Sequence, residues 1–96
     1  MTSESYARHV IGLYVCLPDA TGRAGRADWA VARALHASGV GIEIVEEAML
    51  LAAARRAAHD PEAPSLLPIR SLAYFWPVIK ELAAQPLPSS YVDYLR

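Results

Sequence analysis

Residues 68–83 read Pro-Ile-Arg-Ser-Leu-Ala-Tyr-Phe-Trp-Pro-Val-Ile-Lys-Glu-Leu-Ala. Apolar residues at Ile69, Leu72, Phe75 or Trp76, Ile79 and Leu82 recur at three- and four-residue intervals, which marks one face of an α-helix. Tyr74, Phe75 and Trp76 stand in a row, and Pro77 follows directly. A proline inside a helix removes one backbone donor and clashes with the carbonyl four residues back, at a cost of about 3 kcal/mol. Such a cost persists only where packing offsets it, so the segment is read as the organising centre of the fold. The pattern predicts a helix over residues 69–84, bent at Pro77 or divided there, with Pro86 and Pro88 ending it. Neighbouring helical side chains point about 100° apart, so the core takes two of the three rings and leaves one for a partner.

Three further helices are expected ahead of it. Tyr6, Val10, Leu13, Tyr14 and Leu17 share a face of a first helix over residues 3–17, with Ser3 as its cap and Pro18 as its stop. Residues 18–25 form a loop with two glycines. A second helix over residues 26–38 turns Ala27, Val31, Ala34 and Leu35 inward, with Trp29 partly to the side. Gly39 stands where a left-handed cap belongs, and the short turn to Gly41 predicts that the second and third helices are near neighbours.

The third helix, residues 42–59, is expected to be the central one. Ile42, Val45, Met49 and Ala52 line one side, and Ile44, Ala48 and Leu51 another. Glu43, Glu46 and Glu47 near its start and Arg55, Arg56 and His59 at its end suit the helix dipole. A proline-bearing loop over residues 60–67, expected to be mobile, leads to the aromatic segment. A last short helix over residues 91–96, capped by Ser89 or Ser90, is expected to fold Tyr91 and Leu95 back on the body. No stretch alternates with period two, so the chain is read as all-α: one compact bundle of four to five helices with a proline-kinked fourth helix, spanning residues 1–96 and either whole or excised from a longer chain.

Composition narrows the function classes. The chain has 96 residues, 54% of them apolar, and a net charge of −1. The apolar share is high for so small a body, and leftover apolar surface points to a partner or a second subunit. The near-zero charge gives no global pull towards nucleic acid or anionic lipid. The bases are almost all arginine, with Lys80 the lone lysine, and arginine suits forked phosphate contacts. Cys16 is alone and can form neither an intrachain disulfide nor a cysteine-based zinc site, which fits a reducing, cytoplasmic setting. No apolar run is long enough to span a membrane.

Few residues suggest chemistry. His9, His36 and His59 fall on three predicted helices with no metal-ligand spacing. Glu43, Glu46 and Glu47 read as first-turn acids rather than a catalytic pair. Cys16 has no identifiable base and reads as a small buried hydrophobe. Arg26 and Ala27 follow Gly25 where a phosphate-cradling loop needs Lys and Ser or Thr. The chain is therefore read as non-enzymatic, without cofactor or metal. Its candidate nucleic-acid contacts are Arg23, Arg26, Arg33, Arg55, Arg56 and Arg70 for phosphates and Tyr74 for base stacking; solvated surface is the competing reading.

The stretches Gly-Val-Gly-Ile-Glu-Ile-Val-Glu-Glu-Ala-Met-Leu-Leu-Ala-Ala-Ala-Arg-Arg, residues 68–82, and the terminal Pro-Leu-Pro-Ser-Ser-Tyr-Val-Asp-Tyr-Leu-Arg carry a resemblance. Their order is similar to the C-terminal helical region of bacterial helix-turn-helix and replication-type proteins of plasmids and mobile elements. More distantly it resembles the DnaD-type helical module, in which a helix with a Tyr-xxx-Ile-xxx-Trp pattern contributes to single-stranded DNA binding. Tyr74, Val78 and Leu82 fall at that spacing, with leucine in the third position and Pro77 within the run. The resemblance covers residues 27–96 and implies a helical module that assists DNA replication or mobile-element maintenance. Single-stranded DNA or a replication protein would be its partner, and a duplex-reading domain would lie elsewhere. The second reading is a protein-interaction or self-association module without nucleic acid. A small enzyme, the third, would need a pocket where a histidine meets a carboxylate or Cys16.

Overall fold

Thr2 starts the first helix. Its Oγ1 accepts the backbone N–H of Ser5 at 3.1 Å, so the cap stands one residue ahead of the Ser3 expected from sequence. A computed structural model describes residues 1–18, 20–58, 62–63 and 66–96. Among these residues it holds five α-helices and one 3-10 turn, with no strand. Asp19, His59 and half of the 60–67 loop (Asp60, Pro61, Pro64 and Ser65) lie outside the described residues.

Helix α1 (Ser3–Val15) buries Tyr6, Ala7, Val10, Ile11 and Tyr14, while Leu13 and Leu17 are half-buried. Arg8 and His9 are exposed, as their position off the stripe requires. Cys16 is also exposed, against the buried position expected, because α1 ends before it and turns it out of the stripe.

Helix α2 (Arg26–Ala37) packs chiefly on α1 and on the 3-10 turn, not on the α3 that follows it. Its buried residues are Asp28, Ala32 and Leu35, with Val31 half-buried; Ala27 and Ala34 face outward, contrary to expectation. The inward stripe is set by contact with α1 and not by a partner across the turn. The helix ends as the sequence predicts. Gly39, at φ 76°, lets its own N–H reach His36 O at 3.0 Å and the N–H of Val40 reach Leu35 O at 3.1 Å. These are the two bonds of a Schellman cap.

Helix α3 (Ile42–Ala57) buries Val45, Ala48, Met49, Leu51 and Ala52, and touches α1, α4, the 3-10 turn and α5. It is the shared wall of the core, as its two apolar sides imply.

The aromatic segment departs from a single kinked helix. Ile69 pairs with Ala20 in one parallel bridge. Ser71 then caps a 3-10 turn, Leu72–Phe75, by accepting the Ala73 N–H at 3.1 Å. Helix α4 (Trp76–Ala84) begins directly after it, with Pro77 in its first turn. An amide there would lack a helical partner in any case, and proline's fixed φ suits the position, so the segment is divided at Pro77, which opens a helix and does not kink one. Ile69, Leu72, Phe75, Ile79 and Leu82 are all buried, Trp76 is half-buried and Tyr74 is 45% exposed.

Helix α5 (Ser89–Leu95) has no side-chain cap and is anchored by Val92, not by Tyr91. Tyr91 is 41% exposed. Arg96, just beyond it, holds Glu46 of α3 at 2.7 Å. The molecule measures 44 × 31 × 19 Å; its thinnest dimension equals about two helix diameters, so both broad faces are helix surfaces open to solvent.

Candidate functional site

The sequence-predicted arginines fall into three environments. Arg55 lies on α3 opposite Glu81 of α4 and is held by both carboxylate oxygens, at 2.7 and 3.1 Å. The bidentate hydrogen bond raises the guanidinium's affinity for its proton and lowers the Glu81 carboxyl below its usual range. Arg55 therefore closes the α3–α4 seam and is spent on that contact.

Arg56 points the other way. Its Nη2 donates to Leu67 O at 2.8 Å, its Nη1 reaches the Tyr74 hydroxyl at 3.4 Å, and its guanidinium lies 5.7 Å from the Tyr74 ring centroid. Tyr74 also meets Phe75 edge-on at 5.2 Å. The ring left over from the aromatic run thus packs under an arginine, with the Leu67 segment tied above the pair.

The third environment gathers what the other two lack. Arg26 and Arg33 are seven residues apart on α2 and share a face with Trp29 between them. Because α2 lies along α1, Arg8 of α1 joins them. Together with Glu4 these residues line an open groove of about 460 Å³. The Arg33 guanidinium sits 5.8 Å from the Trp29 ring centroid and meets Glu4 at 3.5 Å across an exposed pair. Among the described residues Arg8 and Arg26 form no ion pair. Three guanidinium groups against one carboxylate leave the groove cationic on a chain whose net charge is −1.

Asp28 fixes this groove from below. It is 6% exposed. One oxygen accepts the Gly25 N–H at 2.9 Å at the start of α2, and the other accepts the Leu72 N–H at 2.8 Å in the 3-10 turn. This carboxylate and the Ala20–Ile69 bridge join the two loops. Arg70, one residue past the bridge, runs beside the loop that carries Arg23, and both are exposed. The bridge thus brings together two loops that carry Arg23 and Arg70, which the sequence separates by 47 positions.

Sequence reasoning missed Arg8, Trp29 and Asp28. The spacing of Arg26, Trp29 and Arg33 was visible as one helix face. Asp28, three residues after Gly25, carries a helix-start signature. Arg8 could be joined to them only through the α1–α2 contact.

Elsewhere His36 and Glu43 line one open pocket with Tyr6 between α2 and α3. No group of three or more His, Cys, Asp and Glu converges among them. His36 lies against the Tyr6 ring at 5.0 Å, and the Tyr6 hydroxyl donates to Val40 O at 2.8 Å. A cavity of about 10 Å³ between Leu17, Met49, Ile69 and Phe75 has room for roughly one water. No described helix is long and apolar enough to cross a membrane. No protein-family model, curated protein or solved structure matches this chain.

Proposed function

We propose that the chain is a non-enzymatic helical module of a bacterial cytoplasm that assists DNA replication or mobile-element maintenance by holding single-stranded DNA. The observation that carries this reading is the α1–α2 groove, where Arg8, Arg26 and Arg33 surround Trp29 and outnumber the lone Glu4. Arg8 and Arg26, which form no ion pair among the described residues, suit phosphate oxygens, and Arg33 shares its charge with Glu4. Outside the groove Arg55 pairs with Glu81 and Arg96 with Glu46, whereas the groove itself keeps three guanidinium groups against one carboxylate.

A gel shift with single-stranded DNA across a salt series tests it. Three phosphate contacts give a slope of log K against log salt of about −2, at roughly −0.7 per contact on a single strand. Absence of binding at low ionic strength, where phosphate contacts are strongest, overturns the reading.

A second reading, protein interaction or self-association with a replication protein or a second copy, is favoured by a different face. Tyr94 is 82% exposed and stacks on Tyr91 at 6.2 Å, and Leu67 is 78% exposed. Light scattering separates the two: a monomer over the micromolar range that binds DNA supports the first.

A further inference from the structure

We infer that Trp29 is a base-stacking platform, so that the groove takes an unpaired nucleotide and not merely a run of phosphates. This rests on the nucleic-acid reading above and specifies the chemistry of its site. Trp29 is half-buried: one part packs against the core and the rest lies in the groove wall. Its position on the α2 face is fixed from both sides. The backbone bonds at Gly25 and the Asp28 carboxylate hold the first turn, and the Schellman cap holds the last.

The polar groups stand around the ring. Arg26 is three residues before it and Arg33 four residues after it on the same face, and Arg8 faces them from α1. The Arg33 guanidinium lies over the ring, 5.8 Å from its centroid, so an entering base stacks by taking its place on that face. An indole presents a π face and a single N–H donor, so it grips any base through stacking and reads little of its edge. The flanking cations then hold the phosphates on either side, which is the arrangement sequence-tolerant single-strand binders use. A duplex keeps its base faces stacked inside and offers Trp29 nothing to cover.

The test uses the full chain with Trp76→Phe, which leaves Trp29 as the lone tryptophan. Four probes are titrated at low salt: a sixteen-nucleotide oligo-dT, the matching duplex, inorganic polyphosphate and poly-glutamate. Oligo-dT quenches Trp29 emission and binds more tightly than the other three. Replacing Trp29 by Leu then lowers oligo-dT affinity roughly 5- to 150-fold, the range for losing one stacked base. Polyphosphate affinity stays within about twofold, and Trp29→Tyr recovers most of the loss. Circular dichroism and a thermal melt verify that each variant is folded. If the leucine variant unfolds, the quench and the tyrosine variant still decide.

Oligo-dT binding with no quench and no dependence on residue 29 overturns the stacking inference and leaves phosphate contact standing. Poly-glutamate binding as tightly as oligo-dT overturns it in favour of an acidic peptide. No binding of any nucleic acid overturns both the inference and the reading beneath it.

Discussion

Asp28 shows what one residue does in this fold. It caps α2 at Gly25 and holds the Leu72 amide 44 positions away, so a local helix-start signal doubles as a long-range tie. Replacing it with Ala leaves a buried amide without an acceptor, and a lost hydrogen bond to a charged group costs about 1.5–3 kcal/mol. The expected outcome is a fall of that size in urea-unfolding stability, with the cavity-lining core otherwise intact. The Gly25-to-Asp28 spacing carries the capping half as a helix-start signature that the sequence reading passed over. The other half was illegible, because no pattern in α2 announces which distant amide will need an acceptor.

Tyr14 is the opposite case. It is fully buried, meets Phe75 edge-on at 6.4 Å, and its hydroxyl has no partner among the described residues. Periodicity placed the ring correctly but could not say that its oxygen would be stranded. Tyr14→Phe removes an unpaired polar atom from the core and should stabilise the chain by about 1 kcal/mol, raising Tm by roughly 4–8 °C. Burial, with Asp28 as the lesser cause, pushes the Tyr14 hydroxyl's pKa up; burial, then Glu43, does the same for Tyr6. A raised folded pKa gives stability that is complete below the ordinary tyrosine value of about 10 and is lost as pH rises through the raised one. The Phe variant should therefore lose less stability in alkaline melts than the parent.

At the scale of elements, the aromatic segment was read well in its faces and less well in its backbone. All five stripe residues from Ile69 to Leu82 are buried, because the three- and four-residue rhythm reports which side meets the core. The same rhythm does not distinguish a 3-10 turn from an α-turn over four residues, so the place of Pro77 at a helix start was hidden. Likewise α2 turned a different alanine inward because its partner is α1, and pairing of helices is not encoded in either helix alone.

The seam between α3 and α4 makes a prediction of its own. Arg55 lowers the Glu81 carboxyl, so their pairing contributes above the ordinary carboxylate range and fades as pH falls through the lowered value. Arg55→Gln should lower Tm slightly near neutral pH, since the pair is exposed and salt-screened. Melts repeated in acid should show the gap between variant and parent closing.

For the whole molecule the consequential feature is segregation of charge. The α1–α2 groove gathers three guanidinium groups against one carboxylate, although composition alone gave no global pull on polyanions. Of the candidate contacts read from sequence, Arg55 closes a seam, while Arg26 and Arg33 line the groove with Arg8 and Trp29. Glu4 opposes that field from within the groove. Glu4→Gln should tighten single-stranded DNA binding several-fold at low salt, and Arg26→Gln should weaken it and make the salt slope shallower by about 0.7. Isotherms collected at three salt concentrations measure both.

The most direct measurement is an amide and indole chemical-shift map of the labelled chain as oligo-dT is added at low salt. The Trp29 indole N–H and the amides around Arg8, Arg26 and Arg33 are expected to move together and saturate, while the Trp76 indole and α5 stay in place. Shifts centred on Tyr91 and Tyr94, or none at all, would contradict it.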